Sequence, residues 1–158
     1  MNSPNEYRNR TAAPARTDIT ASGRRGYAIF TGLTVLCIFI QSITAGKFIE
    51  EGVPRDARET WTNIHGAMAY PIMGFALIAA IIAIASLRAA RPIAILATIL
   101  FLATVGQWAS GHAIATFGMN WVTPFHVTLA FVVYGLAIWL SIRSAMLNRT
   151  AARVGHGS

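Results

Sequence analysis

The segment Trp61–Leu87 reads WTNIHGAMAYPIMGFALIAAIIAIASL and contains no charged side chain. It is longer than the ~20 apolar residues that a helix needs to cross a bilayer. Three more charge-free segments have a comparable length, Tyr27–Gly46, Pro92–Ile114 and Trp121–Ile142. A backbone in hydrocarbon must satisfy its own hydrogen bonds, so each segment is predicted to be a helix. The sequence therefore predicts an all-α fold, a polytopic membrane protein built as a four-helix transmembrane bundle.

The overall composition agrees with a membrane protein. Of the 158 residues, 54% are hydrophobic and 12% are charged, whereas soluble domains carry about 25% charged residues. This composition excludes an ordinary soluble domain and a disordered chain. The single cysteine, Cys37, excludes an internal disulfide and any zinc or iron–sulfur site that needs several cysteines.

The net charge of +7 is distributed unevenly along the chain. Ten arginines lie before the first span, between the second and third, and after the fourth: Arg8, Arg10, Arg16, Arg24, Arg25, Arg88, Arg91, Arg143, Arg149 and Arg153. Loop 47–60 carries both signs of charge, and loop 115–120 carries none. The positive-inside rule then places both termini in the cytoplasm. The excess of arginines therefore indicates how the chain is oriented in the membrane. The expected partner is the lipid bilayer, and nucleic acid is excluded as a partner.

The two ends of the chain are predicted to lie outside the 27–142 transmembrane domain. Residues 1–26 form a cytoplasmic segment that is predicted to be disordered, since it is rich in Ser, Thr, Pro, Asn and Arg. Residues 143–158 form a cytoplasmic tail, predicted to be disordered after Arg149. The first span has an alternative interpretation as a cleaved signal peptide, but Thr44-Ala45-Gly46 is a poor cleavage site.

The second and fourth spans repeat one pattern. Residues 65–77 align without a gap with residues 126–138, and four pairs are identical: His65/His126, Ala69/Ala130, Gly74/Gly135 and Ala76/Ala137. The preceding spans also correspond, because each has a glutamine near its outer end, Gln41 in one and Gln107 in the other. The bundle is therefore predicted to consist of two repeated helical hairpins related by a pseudo-two-fold axis along the membrane normal.

The repeated histidines are the strongest functional signal, because ionisable residues inside membrane spans are rare and usually functional. The pseudo-two-fold places His65 and His126 at one depth, facing the bundle axis. Ala69 and Ala130 follow one turn later and leave space beneath each imidazole. Two imidazoles across an apolar slot fit a haem ligated by both rings, whereas zinc needs three or four protein ligands. Cofactor-free alternatives remain, in which both histidines simply hydrogen-bond between helices.

Three further polar residues are candidates for the same site. Gln41 and Gln107 either hydrogen-bond across helices or support an imidazole N–H or a haem propionate. His112 is either a histidine at the membrane interface or a third ligand.

Each hairpin resembles the repeating unit of bacterial haem A synthases, in which a Gln and small residues end one helix and a His begins the next. The likeness is carried by Gln41…Ala45-Gly46 with Ile64-His65-Gly66, and by Gln107…Gly111 with Phe125-His126-Val127…Ala130. It covers residues 27–142 but only one four-helix half of that eight-helix enzyme. The chain is also similar to small four-helix bacterial membrane proteins with paired histidines. The resemblance implies a haem b held between His65 and His126.

The chain departs from the family pattern in three respects. Thr62 stands where those enzymes have a glutamate, loop 47–60 lacks their cysteine pair, and the spans hold one histidine pair instead of two. The resemblance therefore implies haem binding without haem A synthesis.

Three functions follow as hypotheses from the sequence. The first is a haem b protein, cytochrome b-like, in electron transfer or haem handling near the extracytoplasmic face. The second is a non-enzymatic accessory subunit without a cofactor. The third is a transporter, which four helices without an acidic residue in any span support weakly. A homodimer or a larger membrane redox complex is a possible assembly for the haem protein.

Overall fold

The structure, a computed structural model, describes residues 20–87 and 90–155, with side chains as far as Arg149. It contains four long α-helices: α1 (Ala21–Ile49), α2 (Arg55–Ser86), α3 (Arg91–Phe117) and α4 (Thr123–Gly155). A short 3-10 turn, Asn120–Val122, precedes α4. The described residues include no strand, which confirms the predicted all-α class. Each of the four helices is long and apolar enough to cross a membrane, so the chain is a multi-pass membrane protein.

Local signals in the sequence set several helix ends. Thr20 caps α1, because its hydroxyl accepts a hydrogen bond from the backbone N–H of Gly23 at 3.2 Å. Pro92 stands in the first turn of α3, where its missing N–H costs nothing. Gly118 ends α3 with a left-handed φ of 66°, a conformation that glycine adopts without strain.

The helices extend beyond the predicted spans at both ends of the chain. Residues 21–26 were predicted to be disordered but are helical, because Thr20 caps the first turn and Gly23 packs against Ser86 of α2. Residues 143–155, predicted to be a tail, continue α4, since no glycine or proline interrupts the chain from Leu136 to Val154. The remaining terminal predictions, for 1–19 and 156–158, lie outside the described residues.

The four helices form a closed ring. Within the described residues, each helix packs against the next one in sequence and α4 packs against α1, while the pairs α1/α3 and α2/α4 make no close backbone contact. The helices α2 and α4, which carry the repeated histidines, therefore stand diagonally across the bundle from each other.

The packed core occupies one half of the bundle, which we call the tight half. It comprises the first parts of α1 and α3 and the last parts of α2 and α4, and its apolar core is Tyr27, Ala76, Ala79, Ala80, Ala83, Leu87, Ile93, Ala97, Leu100, Val133, Ala137 and Leu140. In the opposite half, which we call the open half, Thr44 is the one buried residue among residues 35–68 and 105–132. Both repeated histidines lie in the open half.

The paired-histidine site

His65 is held by the last turns of α1. Its Nδ1 lies 3.0 Å from the backbone oxygen of Gln41 and 3.3 Å from the hydroxyl of Thr44. The Thr44 hydroxyl itself donates to the same Gln41 oxygen at 2.8 Å. A carbonyl oxygen only accepts hydrogen bonds, so Nδ1 carries the proton and Nε2 keeps its lone pair. The ring of Phe48 meets the imidazole edge-on, with centroids 5.3 Å apart.

His126 is held by α3 through both ring nitrogens. Its Nδ1 lies 2.9 Å from the hydroxyl of Ser110, and its Nε2 lies 3.1 Å from Nε2 of Gln107. The Ser110 hydroxyl donates a hydrogen bond to the backbone oxygen of Gln107 at 2.9 Å. Its oxygen therefore accepts from Nδ1–H of His126. The lone pair of His126 is therefore on Nε2, where it accepts a hydrogen bond from the Gln107 amide.

The two hairpins repeat this arrangement in detail. Thr44 and Ser110 each stand three residues after the glutamine, donate to that glutamine's carbonyl, and contact the histidine of the next helix. Neither hydroxyl was among the residues predicted for the site. The signal that identifies them is the spacing Gln-x-x-Thr/Ser, which occurs in both hairpins ahead of the repeated histidine.

A glycine allows the ring of His126 to lie against the backbone of α3. A Cβ at Gly111 would stand 3.1 Å from Cε1 of His126, closer than almost all contacts of that kind. The residue at the same position of the first hairpin is Ala45, and there the imidazole is flanked by Phe48 instead. The two rings are therefore supported by equivalent hydroxyls but by different neighbours.

The two glutamines donate hydrogen bonds to different atoms of the two histidines. Gln41 donates its side-chain amide to the backbone oxygen of His65 at 3.3 Å, so it ties α1 to the α2 backbone. Gln107 reaches the imidazole of His126 itself. Its own Oε1 is enclosed and has no hydrogen-bond partner within the described residues.

The two histidines are both half-buried. Ala69, one turn beyond His65, is buried, and Ala130, one turn beyond His126, is half-buried. The small residues therefore mark the boundary between the open half and the tight half on both diagonal helices.

His112 belongs to a separate aromatic group. Its exposed ring stacks on Trp108, with centroids 5.5 Å apart, and meets Phe117 edge-on at 5.7 Å. Its Nδ1 lies 3.3 Å from the hydroxyl of Thr116. In residues 20–87 and 90–155, no hydrogen bond or ring contact joins His112 to the paired histidines, and no three or more His, Cys, Asp or Glu side chains cluster in a way that could hold a metal ion.

No protein family model, no curated protein and no solved structure matches the chain. Its class therefore rests on the fold and the site. The chain is a multi-pass, all-α membrane protein, a four-helix bundle with one histidine on each of two diagonal helices. In each hairpin the histidine is hydrogen-bonded to the preceding helix through a Gln-x-x-Thr/Ser pattern.

Proposed function

We propose that this chain is a haem b-binding membrane protein in which His65 and His126 are the two axial ligands. One observation carries the proposal. Both imidazoles direct the Nδ1 proton to an oxygen of the neighbouring helix and keep the Nε2 lone pair. A histidine that binds a metal usually has this arrangement, in which an outer hydrogen bond fixes the tautomer and the ring orientation.

The surroundings of the two histidines are compatible with a flat cofactor. The open half has Thr44 as its one buried residue in the described ranges, so the helices there are not filled with packed side chains. Ala69 and Ala130 lie one turn below the rings and add no bulk. One rearrangement would be needed, because the Gln107 amide lies against Nε2 of His126 and would have to move for that nitrogen to hold haem iron.

The residues of the site would hold the cofactor rather than react with a substrate. A haem with two imidazole ligands supplies one-electron redox chemistry and has no vacant coordination position. Thr44 and Ser110 would keep each Nδ1 proton in place through their carbonyl-anchored hydroxyls. The proposed role is therefore electron transfer or haem handling, and a larger membrane redox complex is the natural partner for a protein with a single haem.

The proposal is tested by the visible spectrum of the purified protein. Protein extracted in detergent from haem-replete cells should show a cytochrome b spectrum with a sharp α-band on reduction. Organic extraction should release haem b in a ratio of about one per chain, because the spans hold one histidine pair. Protein that stays colourless after titration with haemin would contradict the proposal.

We also propose that the protein lies in a bacterial plasma membrane with both termini on the cytoplasmic side. The haem would then lie near the extracytoplasmic face. The acidic residues Glu50, Glu51, Asp56 and Glu59 lie around the start of α2, next to the open half. Arginines dominate the tight half, at Arg24, Arg25, Arg91, Arg143 and Arg149.

This orientation is tested by labelling single cysteines in intact cells. In a Cys37→Ser background, Glu51→Cys should react with a membrane-impermeant maleimide, whereas Ser158→Cys should react only after the cells are permeabilised. The opposite labelling pattern would reverse the proposed topology.

The hydrogen bonds of the site also favour a second candidate, an accessory subunit without a cofactor. Three of the four ring nitrogens of the two histidines have a hydrogen-bond partner in their own hairpin. The exception is Nε2 of His65, which has none within the described residues. Such bonds between membrane helices stabilise a bundle by about 1 kcal/mol each. This candidate predicts colourless protein that co-purifies with a partner, so the same spectrum separates the two functions.

A further inference from the structure

We propose that Gln107 covers the metal-binding nitrogen of His126, which makes His65 the permanent ligand and His126 the exchangeable one. The inference rests on the proposed haem site and deepens it, because it assigns the two axial positions different roles. Gln107 is on this account a positioning residue, which acts through His126.

The first step is the asymmetry between the two glutamines. They occupy equivalent places in the repeat, yet Gln41 binds the backbone oxygen of His65 and Gln107 binds the ring nitrogen of His126. The pseudo-two-fold symmetry of the sequence is therefore broken at the atom that would bind iron.

The second step is the identity of the donor at that nitrogen. Ser110 fixes the proton of His126 on Nδ1, so Nε2 has a single lone pair, which the Gln107 amide occupies at 3.1 Å. A metal needs the same lone pair. Gln107 and the metal therefore exclude each other at His126.

The third step concerns the ease of displacement. Oε1 of Gln107 is enclosed without a partner in the described residues while the amide covers His126, and an unsatisfied buried acceptor is destabilising. A Gln107 side chain that swings away loses one hydrogen bond but frees this oxygen. The unsatisfied oxygen therefore offsets part of the stabilisation that the amide gains at His126, which makes Gln107 easier to displace than a donor whose side chain is fully hydrogen-bonded.

The fourth step is the state of the other ligand. Within the described part of the chain, no hydrogen bond reaches Nε2 of His65, and this atom is not among the enclosed unpartnered ones, which are Tyr27 Oη and Gln107 Oε1. His65 is therefore ready to bind first, without rearrangement. His126 binds second, when Gln107 leaves, and is released when Gln107 returns.

The hydrogen bond from the Gln107 amide to Nε2 of His126 is tested first, without any cofactor. Cofactor-free protein is treated with diethyl pyrocarbonate, which acylates unprotonated ring nitrogens, and each histidine is followed by mass spectrometry. In the wild type His65 should react several times faster than His126. Gln107→Ala should raise the rate at His126 about tenfold or less, the range expected for one lost hydrogen bond of about 0.5–1.5 kcal/mol, and leave His65 unchanged. The matched control, Gln41→Ala, should leave His126 unchanged.

Two outcomes of this labelling would overturn the inference. One is an unchanged rate at His126 in Gln107→Ala. The other is an equal rise at both histidines, which would report general loosening of the bundle. Gln107→Leu provides a second variant that keeps the size of the side chain but donates no hydrogen bond, and His126 should react faster in it than in the wild type.

The exchangeable ligand is tested in the haem-loaded protein with carbon monoxide. In the reduced wild type, carbon monoxide should replace His126, whose freed Nε2 again accepts from Gln107, with no change in oxidation state. Gln107→Ala removes this competitor, so the affinity for carbon monoxide should fall between about twofold and tenfold, while Gln41→Ala keeps the wild-type affinity.

The two proposals fail in different ways. Colourless protein would overturn the haem site, while the labelling of the cofactor-free protein would still decide whether Gln107 covers His126. Haem-loaded protein in which Gln107→Ala and the wild type have equal affinity for carbon monoxide would overturn the exchangeable ligand alone.

Discussion

Replacing either His65 or His126 with alanine should reduce the haem content of the purified protein by at least tenfold. Each variant would remove one of two axial bonds, and the described residues contain no third histidine, cysteine or carboxylate grouped with the pair. Haem per chain, measured by extraction and by the reduced α-band, is the readout. Full haem content in either variant would overturn ligation by both histidines.

His112→Ala is the matched control for these two variants. It removes a histidine of the same open half whose ring stacks on Trp108 and has no hydrogen bond or ring contact with the paired histidines in the described residues. Its haem content should equal that of the wild type. Exogenous imidazole should restore the spectrum of His65→Gly, which distinguishes a lost ligand from a misfolded bundle.

Gly23→Ala should destabilise the bundle, although alanine is the better helix former. A Cβ at Gly23 would overlap with Cβ of Ser86. The Ser86 atom is bonded directly to the α2 backbone, so α1 and α2 must move apart. Overpacking of this kind costs about 1–3 kcal/mol, which exceeds the gain of up to ~1 kcal/mol from helix propensity. Unfolding in detergent, followed by circular dichroism, measures the difference.

Gly32→Ala controls for the propensity term. It is also a glycine inside α1, but a Cβ there would meet nothing within 4 Å. This variant should be as stable as the wild type or slightly more so. If Gly23→Ala and Gly32→Ala unfolded at the same denaturant concentration, the close approach of α1 to Ser86 would not penalise a Cβ at position 23, and the prediction would be wrong.

The helices were predictable from sequence, but their ends were not. Long charge-free segments mark the part of a helix that lies in hydrocarbon, and all four segments proved helical. Composition does not mark where a helix stops outside the bilayer. Thr20 extends α1 by a local cap, while the close contact of Gly23 with Ser86 depends on the position of α2.

The candidate site was predictable only in part. The repeat identified His65 and His126, but it did not single out Thr44 and Ser110. Hydroxyls in membrane helices commonly bond to their own backbone, as Thr31 does here without reaching another helix. Only the packing of helices shows which hydroxyls also meet a histidine. The difference between Gln41 and Gln107 depends on side-chain conformation, which a sequence repeat does not encode.

The uneven packing of the bundle has a consequence for the order of assembly. The tight half is built from small and branched side chains such as Ala83, Leu100 and Leu140, and it contains neither of the paired histidines. If the proposed function holds, insertion into the membrane and loading of haem would be separate events. The four-helix bundle would assemble first, and haem would enter it afterwards from the lipid or from the outer surface.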